Sequence, residues 1–192
     1  MVTTQKLAPV CLFTYNRLIQ TVKTIEALKA NYLASDTDLI MFSDGGKDNE
    51  TKLKVNEVRE YLKKVTGFKS ITIYKAQFNK GLANSIIDGV TQEIEKYGRV
   101  IVLEDDLVTT PNFLDYMNQA LNFYEYNDKL ISICAYGLKI EKPIDYQNDF
   151  YLYGRSSSWG WGTWKTRWQT IDWDVQDWDL FKKDQKAIKD FK

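Results

Sequence analysis

Residues 99–106 read RVIVLEDD, and this stretch decides the fold. Val100, Ile101, Val102 and Leu103 form a short run, apolar on both faces, the pattern of a central parallel strand covered by helices on either side. Glu104, Asp105 and Asp106 follow at once. Three like charges at the mouth of a buried strand repel one another, and a bound cation relieves that cost. The competing reading is a helix cap, since acids favour a helix amino terminus. The triplet, however, stands several residues before Pro111, which itself suits a first helical turn.

Outward from this strand the same alternation repeats. Residues 9–14 (PVCLFT), 39–43, 70–74 (SITIY) and 130–135 (LISICA) predict further strands. Residues 17–32, 51–65, 82–97 and 113–126 predict helices, with apolar side chains at helical spacing. Such alternation implies an α/β fold with a mostly parallel sheet, right-handed crossovers and ligands bound beyond the carboxyl ends of the strands. The polar strand-end loops are then 14–17, 43–46, 77–81 and 104–106. From residue 139 onward the chain turns aromatic and irregular, and all six tryptophans lie between Trp159 and Trp178. The helix-like stretch 180–192 carries no stop signal, which predicts a longer parent protein.

Composition narrows the chemistry. At 192 residues, 44% hydrophobic and 27% charged, the chain is expected to build one core. Its 26 basic and 26 acidic residues balance, so nucleic acid and anionic membranes are not expected as partners. No stretch has the length of a transmembrane segment and the first seven residues lack the build of a secretory signal, so a soluble, cytoplasmic protein is expected. Cys11 and Cys134 sit in apolar runs and read as small core residues. Histidine is absent, which leaves proton transfer and metal binding to carboxylates. Such ligands suit Mg²⁺ or Mn²⁺, which need only one or two protein carboxylates when water and substrate phosphate complete the shell.

Each remaining constellation admits two readings. Asp44, in Ser43-Asp44-Gly45-Gly46, is placed to accept a hydrogen bond from a base imide, which would favour uracil over cytosine; alone, Asp-Gly-Gly is an ordinary turn. Asn79, Lys80 and Gly81 could bring amides and a basic side chain to a phosphate or sugar at a helix amino terminus, or simply cap that helix. Arg17 offers a fixed charge for a diphosphate or ribose, or a surface salt bridge. Trp159, Gly160 and Trp161 alternate flat rings with glycine, a composition suited to stacking on a sugar face. Yet Trp161, Trp164 and Trp168 recur at helical spacing, which predicts one buried face. Asp172, Asp174, Asp177 and Asp179 are all candidates for a carboxylate base, and spacing does not choose among them.

Taken together, residues 10–17 (VCLFTYNR), 42–46 (FSDGG), 79–89 (NKGLANSIIDG), 100–107 (VIVLEDDL) and 158–164 resemble the glycosyltransferases of the GT-A fold. The similarity is to family-2-like bacterial sugar transferases and to the animal N-acetylglucosaminyltransferase that starts complex N-glycan branching. It runs along nearly the whole chain. It implies a Rossmann-like domain at 1–138 binding a nucleotide-sugar, with 139–192 as an aromatic-rich, acceptor-side segment of the same domain, truncated at its carboxyl end. It implies further that Thr14, Tyr15 and Arg17 line the nucleotide, that Asp44 binds the uracil imide and that Glu104 contacts the ribose. Asp106 would coordinate Mn²⁺ with the diphosphate, and Asp105 would assist. The family motif is commonly Asp-X-Asp, whereas this chain has Glu-Asp-Asp, as the animal branch also does.

Relatives of this type are inverting, metal-dependent enzymes. The implied reaction moves a sugar from a UDP-sugar or other nucleotide-sugar to the hydroxyl of a glycan or other acceptor. In similar bacterial sequences the base is an aspartate well downstream of the Trp-Gly-Trp segment, which implies a base beyond Lys192; within this chain the candidates are Asp174 and Asp172. Two other functions compete. A sugar-1-phosphate nucleotidyltransferase would want a glycine-rich phosphate loop near residue 10, where this chain reads Phe13-Thr14-Tyr15-Asn16-Arg17. A non-catalytic carbohydrate-binding fragment would use the tryptophans, although such modules are usually β-rich.

Overall fold

Every residue of β1 (Val10–Thr14) is buried, as is each apolar residue of β4 (Arg99–Glu104), where Val100 to Leu103 are at most 1% exposed. The computed structural model in which these strands lie describes residues 7–137, 140–141 and 143–191. The expectations for residues 1–6, for a boundary between 138 and 139, and for Lys192 fall outside the described residues.

β1 pairs in parallel with β2 (Asp38–Ser43) on one side and with β4 on the other, and β2 pairs in parallel with β3 (Ser70–Lys75). Helices α1 (Leu18–Lys29), α2 (Asn49–Leu62) and α3 (Leu82–Tyr97) link these strands, and α4 (Phe113–Phe123) follows β4. The six-stranded sheet has the order β3-β2-β1-β4-β6-β5. The expected α/β architecture, a mostly parallel sheet flanked by helices, is present.

Strand alternation sends successive side chains to opposite faces. Val10, Leu12, Leu39, Met41, Ile101 and Leu103 join Ile25, Leu28, Val58, Leu62, Leu114, Met117 and Leu121 from α1, α2 and α4. Cys11, Phe13, Val100 and Val102 join Val90 and Ile94 of α3 on the other face. Each such fully buried side chain contributes about 1.5–3 kcal/mol of hydrophobic stabilisation. Burial pushes the Cys11 thiol pKa upward, with Glu93 adding to the shift, in keeping with a core residue.

The carboxyl-terminal third departs from the sequence reading. The strand expected at 130–135 shrinks to β5 (Ile133–Cys134), which pairs with β6 (Trp161–Trp164) rather than with β4. β6 itself runs antiparallel to β4, so the βα repeat ends at α4. Helical spacing of Trp161, Trp164 and Trp168 predicts one helical face, but the segment is strand β6 followed by the single turn α5 (Lys165–Trp168). Trp164 donates to the Leu121 carbonyl (2.9 Å) and Trp168 to Thr91 Oγ1 (2.9 Å), on opposite faces of the sheet. Gly162 explains why a strand wins: a Cβ there would lie 2.9 Å from the Val100 carbonyl oxygen, so only glycine lets β6 close on β4. Two further short helices, α6 (Trp178–Phe181) and α7 (Gln185–Phe191), end the described chain. Among the described residues, no helix is long and apolar enough to cross a membrane.

Candidate functional site

The loops at the carboxyl ends of the four parallel strands meet around a cleft of about 380 Å³. Thr14, Tyr15, Arg17, Asp44, Asn79, Gly81, Glu104 and Asp105, all singled out from sequence, line it together with Phe13, Asn16, Phe42, Lys47, Leu82 and Ser85. A larger, shallower groove of about 690 Å³ lies between α1 and α2 against Leu18, Leu53 and Tyr61. It shares no lining residue with the cleft at the strand ends, where backbone and acids converge, and is no candidate for the chemistry.

At the end of β4 the acids are arranged around Arg17, the residue that precedes α1. Its guanidinium donates Nη2 to Asp105 Oδ1 and Nη1 to Asp106 Oδ2, the latter at 2.9 Å. Asp105 is buried; its Oδ2 accepts from the Tyr15 amide (3.1 Å), and its carbonyl accepts from Thr24 Oγ1 (3.1 Å). Asp106 keeps 42% of its side chain exposed. Asp105 is thus committed to positioning the 15–17 loop, while Asp106 faces outward. Burial raises the pKa of Asp105 above the ordinary carboxylate value, partly countered by the Tyr15 amide and Arg17. Burial raises that of Glu104 as well, reinforced by repulsion from Asp106 and Asp105. Burial works against the Arg17 charge but is outweighed by the two carboxylates, and its pKa stands above normal. The Tyr15 hydroxyl is buried without a hydrogen-bond partner among the described residues, a costly state that a ligand oxygen would relieve.

At the end of β2 the arrangement is different. Asp44, 9% exposed, accepts from the Gly45 amide (2.8 Å) and the Lys80 amide (2.8 Å) through Oδ1. Its Oδ2 accepts from the Gly81 amide (3.0 Å) and Asn79 Nδ2 (2.9 Å). Each oxygen therefore already carries two bonds, the usual capacity of a carboxylate. The amides of Lys80 and Gly81, expected to face a phosphate, are turned to Asp44, and the Lys80 ammonium pairs with Asp88 (2.7 Å). Gly45 allows this closeness, since a Cβ would meet the Phe78 backbone at 2.4–2.7 Å.

Behind this corner stands Arg59 of α2, which sequence reasoning missed because it sits among charged residues on a helix. It donates Nε to Ser43 Oγ (3.0 Å) and Nη2 to the carbonyls of Ser43 (3.2 Å), Asp44 (3.2 Å) and Ala76 (2.7 Å). Phe13 and Phe42, also missed, stack at 4.8 Å between ring centroids within the sheet face under α3. Their place in strands made them read as core, and no sequence signal marks them as cleft residues.

The aromatic segment stands apart from the cleft lining. Trp161 packs into the α3-side core and stacks on Trp168 at 5.9 Å. Trp159 is half exposed against Tyr136, with ring centroids 4.5 Å apart, and Gly160 lies over Leu103 and Phe113. The Asp172 carboxylate accepts from the amides of Asp174 (3.1 Å) and Gln176 (2.7 Å), holding a turn, and Asp174 is exposed.

The donor set fits a divalent cation in one way only. Among the described residues, no group of three or more acidic, histidine or cysteine side chains could enclose a metal. A cation carried on a diphosphate needs one or two carboxylates, and the exposed Asp106 with Glu104 beside it meets that lesser demand.

No family model and no curated protein matches the chain. Among solved structures, it is similar to the mannosyltransferase PcManGT from Pyrobaculum calidifontis in complex with GDP-Man and Mn²⁺, at 12% identity over 69% of this chain, TM-score 0.48. It is also similar to S. aureus TarS, at 11% identity over 61% of this chain, TM-score 0.42. A third is a proposed nucleotide-diphospho-sugar transferase from Desulfovibrio desulfuricans G20, at 14% identity over 62% of this chain, TM-score 0.43. The chain spans 36%, 20% and 55% of the lengths of these three proteins, respectively. At such values, function has to be read from this chain's own residues.

Proposed function

We propose that this chain forms the donor site of a glycosyltransferase that moves a sugar from a nucleotide-sugar, with UDP as the first carrier to test, to an acceptor hydroxyl. One observation carries the proposal: an exposed carboxylate, Asp106, is held by Arg17 at the mouth of the central strand, beside the cleft on the carboxyl edge of the sheet. This is where open α/β sheets bind ligands, and four of the stretches that carry the family resemblance, VCLFTYNR, FSDGG, NKGLANSIIDG and VIVLEDDL, meet there.

In this reading the nucleoside lies between the 14–17 loop and the wall made by Asp44, Asn79 and Gly81, with Tyr15, Arg17 and Glu104 toward the ribose and diphosphate. Asp106 and Glu104 would hold Mn²⁺ or Mg²⁺, which would neutralise charge on the departing diphosphate. Asp44 frames the wall rather than reading the base, because an imide N–H would have to displace one of the four donors already on its carboxylate. Transfer with inversion follows from direct attack: the acceptor oxygen bonds to the anomeric carbon, the bond to the diphosphate oxygen breaks, and a carboxylate takes the acceptor proton. Of the two candidates within this chain Asp174 is the freer, since Asp172 is engaged in its turn, and a residue beyond Lys192 is the alternative base. The exposed Trp159 is the residue of the aromatic segment suited to an acceptor sugar.

Calorimetry with UDP, with and without Mn²⁺, tests the reading. Asp106→Ala should abolish the metal-dependent part of binding. Metal-dependent binding that persists in this variant would sink the assignment.

A further inference from the structure

Arg59 makes four side-chain hydrogen bonds beside the cleft, as many as the Asp44 carboxylate, yet it lines no part of it. Its planar fork collects three carbonyls and a hydroxyl from the ends of β2 and β3, a set that a lysine could not satisfy with the same geometry. These acceptors belong to Ser43, Asp44 and Ala76, the residues that carry the chain from the sheet into the cleft wall. Ser43 is further tied to Ala76 by the Ala76 amide (2.9 Å). On the other side of the same backbone, the Asp44 carboxylate holds the amides of Lys80 and Gly81. A continuous line of hydrogen bonds thus runs from α2 through Arg59, the β2 end and Asp44 to the loop that opens α3.

From this geometry we infer that Arg59 is a positioning residue for the nucleoside-facing wall of the cleft, acting through Asp44 on residues 79–81. The inference rests on the donor-site reading above. Its consequence is asymmetric. Arg59 holds the β2–β3 side and touches nothing at the Arg17–Asp105–Asp106 corner, so its loss should affect recognition of the nucleoside and spare recognition of the diphosphate.

The experiment compares UDP with inorganic pyrophosphate, both with Mn²⁺, by calorimetry on the whole chain and on Arg59→Lys, which keeps the charge and loses the fork. UDP affinity should fall about tenfold or more in the variant while pyrophosphate affinity stays within about twofold. Hydrogen exchange, read without any ligand, should quicken at the amides of Gly45, Lys80 and Gly81 and remain unchanged in β1 and β4. UDP binding equal to that of the original chain, or UDP and pyrophosphate weakening together, would overturn the inference, as would unchanged exchange at those amides. If the original chain binds no nucleoside diphosphate, it is the donor-site reading that fails, and the exchange data still decide whether Arg59 holds the loop. Ser43→Ala, which removes only the Oγ acceptor, gives the same pattern in smaller measure should Arg59→Lys fold poorly.

Discussion

At the end of β2, the Asp44 carboxylate accepts three backbone amides and one side-chain amide and is almost wholly buried. At the end of β4, two strands away, Asp105 and Asp106 share a single guanidinium, and Asp106 stays open to solvent. Both corners place aspartate at a strand end on the same edge of one sheet. The β2 corner is saturated by its own backbone and behaves as framework. The β4 corner neutralises its acids with one half-exposed arginine and leaves a carboxylate that can exchange its partner. The location of an acid in the fold therefore does not settle its role; the number of donors already committed to it does.

Substitutions can break this contrast. Asp44→Ala has the largest expected effect, since it strands buried donors that water reaches poorly; a loss of about 2–4 kcal/mol in denaturant unfolding is expected. A loss near zero would show that Asp44 is not framework. Arg17→Gln comes next, because it leaves the buried Asp105 with the Tyr15 amide as its remaining donor. With Arg17 itself 45% exposed, a discounted cost of about 1–2 kcal/mol is expected in the same measurement. Asp106→Ala should change stability by less than about 1 kcal/mol, as exposed pairs do, while the proposed donor site would lose its metal-dependent binding. A large destabilisation there would make the two corners alike.

The smallest effect has the opposite sign and depends on pH. Glu104 has a pKa raised above its unfolded value by burial and by its acidic neighbours, so its charge opposes folding at neutral pH. That cost is complete above the raised folded pKa, shrinks as pH falls through it, and vanishes below the unfolded value near 4.5. Glu104→Gln should therefore raise thermal stability at pH 7, by at most about 1 kcal/mol after solvent screening. The gain should disappear on acidification toward pH 4. A gain that persists at low pH would assign the effect to packing instead of charge.

Much of the architecture was legible because it follows from local pattern. The apolar runs in β1 and β4 and the 3.6-residue spacing of α1 to α4 fix which faces must be covered, and alternation implies a parallel sheet. The carboxyl-terminal third was not legible for the same reason. Tryptophans three or four residues apart satisfy helical spacing whether or not a helix forms. What makes β6 a strand is the open edge of β4 and the missing side chain at Gly162, both of which are contacts at long range. The cleft residues found from sequence were those in polar strand-end loops; Phe13 and Phe42 were hidden in apolar strands, and Arg59 in a charged helix.

The sequence by itself determined that the acids gather at the mouth of a buried strand and that carboxylates must carry any metal or proton chemistry, because the apolar run and the absence of histidine are properties of the chain alone. Only the tertiary structure decided which of those carboxylates remain open. That depends on amides and guanidinium groups brought from elsewhere in the chain: the Tyr15 amide and Arg17 to Asp105, and the loop at 79–81 to Asp44. Hydrogen-bond saturation is a count of neighbours in space, and spacing along a sequence does not contain it.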